Sequence, residues 1–187
     1  MSREPRTAPD LENPLALEQQ VCFALSVAAR NVVAVYKPLL KPIGLTHPQY
    51  LVMLALWQYE PVSVRELSHM LQLDPGTMSP LLKRLEASGL LRRQRDVRDE
   101  RALAVTLTDN GRALRAEAEK VPPAVVARLG MELDELVALR ESLTRVIAVA
   151  QTAMSDADRD TYPAPSAVPD EAPTSTARRR TTTEDGS

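Results

Sequence analysis

The sequence predicts a mainly α-helical fold with one small β-hairpin, and three observations predict it. Two short segments in tandem each open on a helix N-cap, Ser63-Val-Arg-Glu66 and Asp74-Pro75. Soon after them, Leu91, Arg93 and Arg95, then Leu103, Val105 and Leu107, alternate with the two-residue period of strands around a polar loop at 96–101. On either side of this block, apolar residues recur at helical spacing, from Leu15 to Tyr36 and from Leu129 to Ala150.

Taken in order, the first helix runs from Pro14 to about Lys37 on Val21, Cys22, Leu25, Ala28, Ala29, Val32, Val33 and Tyr36, and it should stop near Pro38 and Pro42. Thr46 caps a second helix with Pro48 in its first turn, which carries Tyr50, Leu51, Leu54 and a core Trp57 to Glu60-Pro61. Ser63 and Glu66 form a capping box for a short helix to Leu71. A tight turn at Gln72 and Leu73 leads to the N-cap Asp74, with Pro75 at the first helical position and Gly89 just past the end.

Two short helices joined by a tight turn make a helix-turn-helix, and the hairpin that follows makes it winged. Thr108-Asp-Asn-Gly111 then caps a further long helix, interrupted by Pro122-Pro123, before the last amphipathic helix. The predicted fold is a winged helix-turn-helix of order α-α-α-α-β-β-α-α, mainly α with a small β-hairpin wing. Its domain spans residues 14–154, between polar, proline-containing tails at 1–13 and 155–187 that read as disordered. The Arg178-Arg179-Arg180 run in the second tail reads as a solvated charge run.

Composition narrows the function. The formal net charge is −2, but residues 83–101 hold seven bases against four acids, a local excess of three positive charges where a nucleic acid would dock. No uninterrupted apolar run of membrane-spanning length is evident, and the polar start has no signal-peptide core, so the expected location is the cytoplasm. One cysteine, Cys22, excludes an intrachain disulfide framework. A single cysteine and two separated histidines, His47 and His69, make no metal site, and no cofactor is expected.

A helix that reads base edges needs small polar and basic side chains near its N-terminus, because bulky groups cannot reach the floor of the major groove. The run Pro75, Gly76, Thr77, Ser79, Lys83 and Arg84 meets that need, with Thr77 and Ser79 placed for bases and Lys83 and Arg84 for phosphates. An ordinary solvated helix face would look the same in isolation; the arginine-rich hairpin beside it favours DNA. Arg93, Arg95, Arg98 and Arg101 suit the negative potential of a narrow minor groove, with Arg98 or Arg101 at the tip. Residues 62–108 are therefore the predicted DNA-binding module.

Two such modules must reach successive major grooves about 34–36 Å apart, so the expected target is a palindromic operator in double-stranded DNA and the expected state a homodimer. The helices at 14–45 and 109–154 carry more apolar surface than a small domain covers alone, and are assigned to dimerisation.

Asp99-Glu-Arg101, with Leu107-Thr108 and Gly111, resembles the wing signature of MarR-type transcriptional regulators. The resemblance implies that Asp99 pairs with Arg101 while the arginine approaches the minor groove. Within that family, the stretch 17–25 around Cys22, Tyr36-Lys-Pro-Leu-Leu40, Pro48-Gln-Tyr-Leu51 and Asp74-Pro-Gly-Thr-Met-Ser-Pro look like the organic-hydroperoxide regulators (OhrR) of the one-cysteine type. Such a regulator represses a peroxide-detoxification gene and leaves its operator when an organic hydroperoxide oxidises the cysteine.

The resemblance makes Cys22 the redox sensor and Tyr36 its hydrogen-bond donor. Fourteen residues of helix separate them by about 21 Å, so the donor must belong to the other subunit. His47 stands where relatives carry a second tyrosine, and Ser26 where many carry an aromatic residue. The imidazole is either a replacement donor from the partner subunit or an ordinary residue at a helix start. With no second cysteine, the expected cycle runs through sulfenic acid to a mixed disulfide with a low-molecular-weight thiol, or to over-oxidation. The alternatives are a MarR-type repressor that answers a small aromatic ligand, with Cys22 incidental, and a thiol peroxidase.

Overall fold

A computed structural model of the chain describes residues 13, 15–95 and 103–153. A single 3-10 turn, Leu17–Gln19, precedes helix α1 (Val21–Leu40). Pro38 lies inside α1, two residues before its end, and the helix stops between Pro38 and Pro42 as expected, although it starts at Val21 and not at Pro14. A second 3-10 turn (Lys41–Ile43) then ends on Gly44 at φ 69, a left-handed conformation that favours glycine.

Helix α2 (His47–Tyr59) is the centre of the domain. Tyr50, Val52, Met53, Ala55 and Leu56 are buried on several sides of it, so it shows no apolar stripe but an apolar surface nearly all round. Its start is held by Gln49, whose side-chain Oε1 accepts from the Thr46 backbone N–H at 2.9 Å and from the Thr46 hydroxyl at 3.1 Å. After it come strand β1 (Val62–Ser63), α3 (Val64–Leu71) and α4 (Pro75–Ala87). The expected capping box is present: the Glu66 N–H donates to Ser63 Oγ at 3.1 Å, and the Ser63 N–H to Glu66 Oε2 at 2.8 Å. Gln72 turns the chain between α3 and α4 at φ 55.

Strands β2 (Leu91–Arg95) and β3 (Leu103–Leu107) form the hairpin, with Leu91 opposite Leu107 and Arg95 opposite Leu103. The sheet has a third strand, because β1 pairs with β3 through Val62–Val105 and Ser63–Ala104. Two residues are too short a run to show alternation in sequence. Leu67, Met78, Leu82, Leu85 and Val105 are fully buried between α2, the helix-turn-helix and the sheet. Burying each large aliphatic side chain contributes about 1.5–3 kcal/mol.

The expected long helix after Thr108 is instead two short ones, α5 (Asp109–Ala113) and α6 (Arg115–Ala118), followed by α7 (Val121–Leu129). Pro122 and Pro123 open α7 where they were expected to interrupt a helix, since the first turn needs no N–H donors. Gly130, at φ 62, ends α7, and α8 (Leu133–Ala153) follows.

Helix α8 buries none of its 21 residues, and Leu133, Val137, Leu139, Val146, Ile147 and Val149 are exposed along it. Helix α1 likewise exposes Val21 and Val32 and buries only Leu40. Within residues 21–43 an 18-residue window reaches a mean hydropathy of 1.3, so composition alone does not exclude a membrane segment as the sequence reading expected. Arg30 and Lys37 lie within that stretch, and α1 packs on α2 and α7.

Candidate functional site

The first part of the site is the exposed face of α4. Asp74 builds its start by accepting the Thr77 N–H at 2.9 Å through Oδ1 and the Thr77 hydroxyl at 2.7 Å through Oδ2. These bonds, the hydroxyl first, hold the Asp74 carboxyl below the usual carboxylate range. Met78, Leu81, Leu82 and Leu85 anchor the inner face. Pro75, Gly76, Ser79, Lys83 and Arg84 are all exposed on the outer one, as the sequence reading expected, together with Pro80, which that reading did not single out. Because proline has no N–H, the Gly76 carbonyl lacks its helical partner. Thr77 is half-buried and its hydroxyl proton belongs to Asp74, so this side chain can meet a base only as an acceptor.

The second part is the hairpin, where the strand face matters. Leu91 is buried, so the two-residue period turns Arg93 inward with it and leaves Arg92 and Gln94 outward and exposed. Arg93 is half-buried against Glu86 of α4. The carboxylate accepts the Arg93 backbone N–H at 2.9 Å, Nε at 2.9 Å and Nη2 at 2.6 Å. The guanidinium, and then the N–H, keep the Glu86 carboxyl below its ordinary range. Arg93 thus joins the hairpin to α4, and Arg92 is the outward cation that the sequence reading passed over. Its signal was the burial of Leu91, one residue away. Arg95 closes β2, while Arg98, Asp99 and Arg101 lie outside the described residues.

The third part is an aromatic cluster between α1 and α2. The Tyr36 ring meets His47 edge to face, with centroids 5.1 Å apart, and lies 6.0 Å from Tyr50, which in turn lies 6.5 Å from Trp57. Burial raises the Tyr36 hydroxyl above its ordinary pKa and lowers that of His47, favouring the neutral imidazole. The Tyr50 hydroxyl is raised by burial and then by Tyr36. Cys22, in the first turn of α1, is exposed. The fold therefore brings Tyr36 and His47 together, while Cys22 sits at the opposite end of α1, about 21 Å from Tyr36 along the axis.

A cleft of about 460 Å³ opens beside this cluster, lined by Tyr50, Leu54, Trp57, Gln58, Arg115 and Glu119 among others. His69 is exposed on α3, and among the described residues no group of three or more His, Cys, Asp or Glu side chains could hold a metal ion.

The MarR family model matches residues 45–103. The chain is 48% identical over 132 residues to the HTH-type transcriptional regulator TtmR of Methylorubrum extorquens, covering 71% of this chain and 68% of that protein. It is 37% identical over 129 residues to the organic hydroperoxide resistance transcriptional regulator of Bacillus subtilis, covering 69% and 88%. Among solved structures, reduced AbfR bound to DNA, a protein of Staphylococcus epidermidis, superposes with a TM-score of 0.59 at 35% identity, covering 72% of this chain and 94% of that one.

Proposed function

The chain belongs to the MarR family of transcriptional regulators, and on that premise we propose that it is a DNA-binding repressor released from its operator when Cys22 is oxidised by an organic hydroperoxide. The DNA-binding half rests on α4, whose capped start and exposed Gly76, Ser79, Lys83 and Arg84 form the narrow polar edge that a major groove accepts. Arg92 supplies positive charge beside it, and Arg95, Arg98 and Arg101 of the expected wing would add to it, with Asp99 pairing with Arg101 as the family resemblance implies.

One observation carries the sensing half. Cys22 is an exposed thiol on a largely unburied apolar helix whose far end holds Tyr36 against His47. A second copy laid antiparallel on α1 and α8 covers that apolar surface and sets each Cys22 beside the partner copy's aromatic pair. Neutral His47 then offers one N–H, and Tyr36 its O–H, to the thiolate. The thiolate sulfur attacks the outer peroxide oxygen, the O–O bond breaks, and the alkoxide takes a proton and leaves as the alcohol. The resulting sulfenic acid condenses with a small thiol, releasing water and leaving a mixed disulfide.

The test is a gel shift on the duplex upstream of the protein's own gene, with and without cumene hydroperoxide. Wild-type protein should lose the duplex on treatment and Cys22→Ser should keep it. Release of the serine variant by the peroxide would defeat the sensing half.

The aromatic cleft beside Trp57 and Arg115 favours a second reading, a repressor that answers a small aromatic acid. In that case treatment with the acid, not the peroxide, releases the duplex, and Cys22→Ser changes nothing.

A further inference from the structure

Helix α2 meets the aromatic cluster at its first turn and the hairpin at its last. Its thirteen residues span about 20 Å at 1.5 Å per residue. At the first turn, His47 and Tyr50 pack on Tyr36 of α1. At the last, Trp57 Nε1–H donates to the Gly111 carbonyl at 2.9 Å. Glu60, the residue that ends the helix, grips β3 and α5 with both carboxylate oxygens. Oε2 accepts the Leu107 N–H at 2.8 Å, and Oε1 pairs with the Arg112 guanidinium. Arg112 in turn donates to the Leu107 carbonyl at 3.3 Å.

The strand register explains why a side chain is needed there. β1 sets Val62 against Val105 and Ser63 against Ala104, so one more pair of ladder positions would bring Pro61 to Thr106 and Glu60 to Leu107. Pro61 has no N–H, and the Glu60 N–H is spent on the Leu56 carbonyl at 3.2 Å. The backbone therefore offers the Leu107 carbonyl no donor, a place that Arg112 takes, while the Glu60 carboxylate, and not its backbone carbonyl, accepts the Leu107 N–H. Leu107 is buried, and leaving its N–H unpaired would cost about 1–3 kcal/mol.

We propose that Glu60 is a positioning residue that ties the wing to α2, so that the packing of Tyr36, His47 and Tyr50 at one end of the helix sets the stance of the hairpin on DNA at the other. Tight packing around α2 makes it move as a unit, which is the physical link between the two ends. The proposal rests on the DNA-binding reading and is independent of oxidant.

A double-mutant cycle on untreated protein tests it, using a labelled duplex selected from a random pool by the wild-type chain. His47→Ala should weaken binding at least about fivefold in the wild-type background and less than about twofold with Glu60→Gln, a coupling within the usual range for linked sites. If Glu60→Gln fails to fold, Arg112→Gln, which takes the guanidinium from Glu60 and from the Leu107 carbonyl but keeps the bond from the Leu107 N–H to Glu60, should likewise reduce the effect of His47→Ala to less than about twofold. Emission from Trp57, the sole tryptophan, checks the fold of each variant. Equal effects of His47→Ala in both backgrounds, or no effect in wild type, would overturn the proposal. Since no peroxide is present, neither result bears on Cys22, and a peroxide-insensitive wild type would sink the sensing reading while leaving the cycle intact.

Discussion

Glu86, near the end of α4, chelates Arg93 of β2 through its backbone N–H, Nε and Nη2, at 2.9, 2.9 and 2.6 Å. This one carboxylate sets the angle between the helix proposed to enter the major groove and the hairpin proposed to flank it. The Arg93 guanidinium gives two of these bonds and its charge is paired with a carboxylate, which argues for a brace in place of a phosphate contact.

Arg93→Ala should therefore weaken binding to duplex DNA while leaving its salt dependence unchanged. Lys83→Ala should flatten the slope of log affinity against log salt by about one unit, as expected when one phosphate contact is lost. Titrations from low to moderate salt read both. A flattened slope for Arg93→Ala would place its guanidinium on the phosphates and not on Glu86.

The pH dependence has two signed parts. Asp74 has a lowered carboxyl pKa, so its contribution is complete above the unfolded value of about 3.9 and is lost as pH falls through the lower folded value. Asp74→Asn should remove that acid-limb loss. His47 is also lowered, so the unfolded chain binds the extra proton first. Stability is full above about pH 6.5 and declines as pH falls from there toward the folded value. His47→Tyr should flatten this second decline in melting curves taken from pH 7.5 to 5.

Gly111→Ala should be among the most damaging single changes. A Cβ at Gly111 would collide with the Leu90 carbonyl oxygen, which already accepts the Thr108 N–H at 3.1 Å, and would press on the Leu107 side chain at 3.2 Å. The backbone must move, at a cost of about 3 kcal/mol or more. Urea unfolding measures it, and a loss below about 1 kcal/mol would show that the α5 start relaxes freely.

Ile147→Asp, on the exposed face of α8, should convert a dimer to a monomer in sedimentation and weaken duplex binding at least tenfold, because charge in a desolvated interface without a partner costs several kcal/mol. A variant that stays dimeric would move the interface off this face.

Local chemistry by itself determined much of this protein. Ser63 with Glu66, Asp74 with Pro75 and Thr108 with Gly111 each describe an interaction between residues a few positions apart and reappear as written, and both strands around 91–107 form, although Leu103 is exposed and Ala104 buried against the expected alternation. Cys22, Tyr36 and His47 were legible as candidates from resemblance, and Gly76, Ser79, Lys83 and Arg84 as an outward face from the apolar spacing of α4.

Contacts between distant segments were decided only by the tertiary structure. β1 exists because β3 lies beside it, forty residues on, and two residues carry no period of their own. The pairing of Arg93 with Glu86 of α4 could not be read from the hairpin alone. Glu60, unremarkable in sequence, became the acceptor for the Leu107 N–H because the fold sets the end of α2 against the end of β3. Such pairings depend on where two surfaces meet in space, and residue identity along the chain does not encode that position locally.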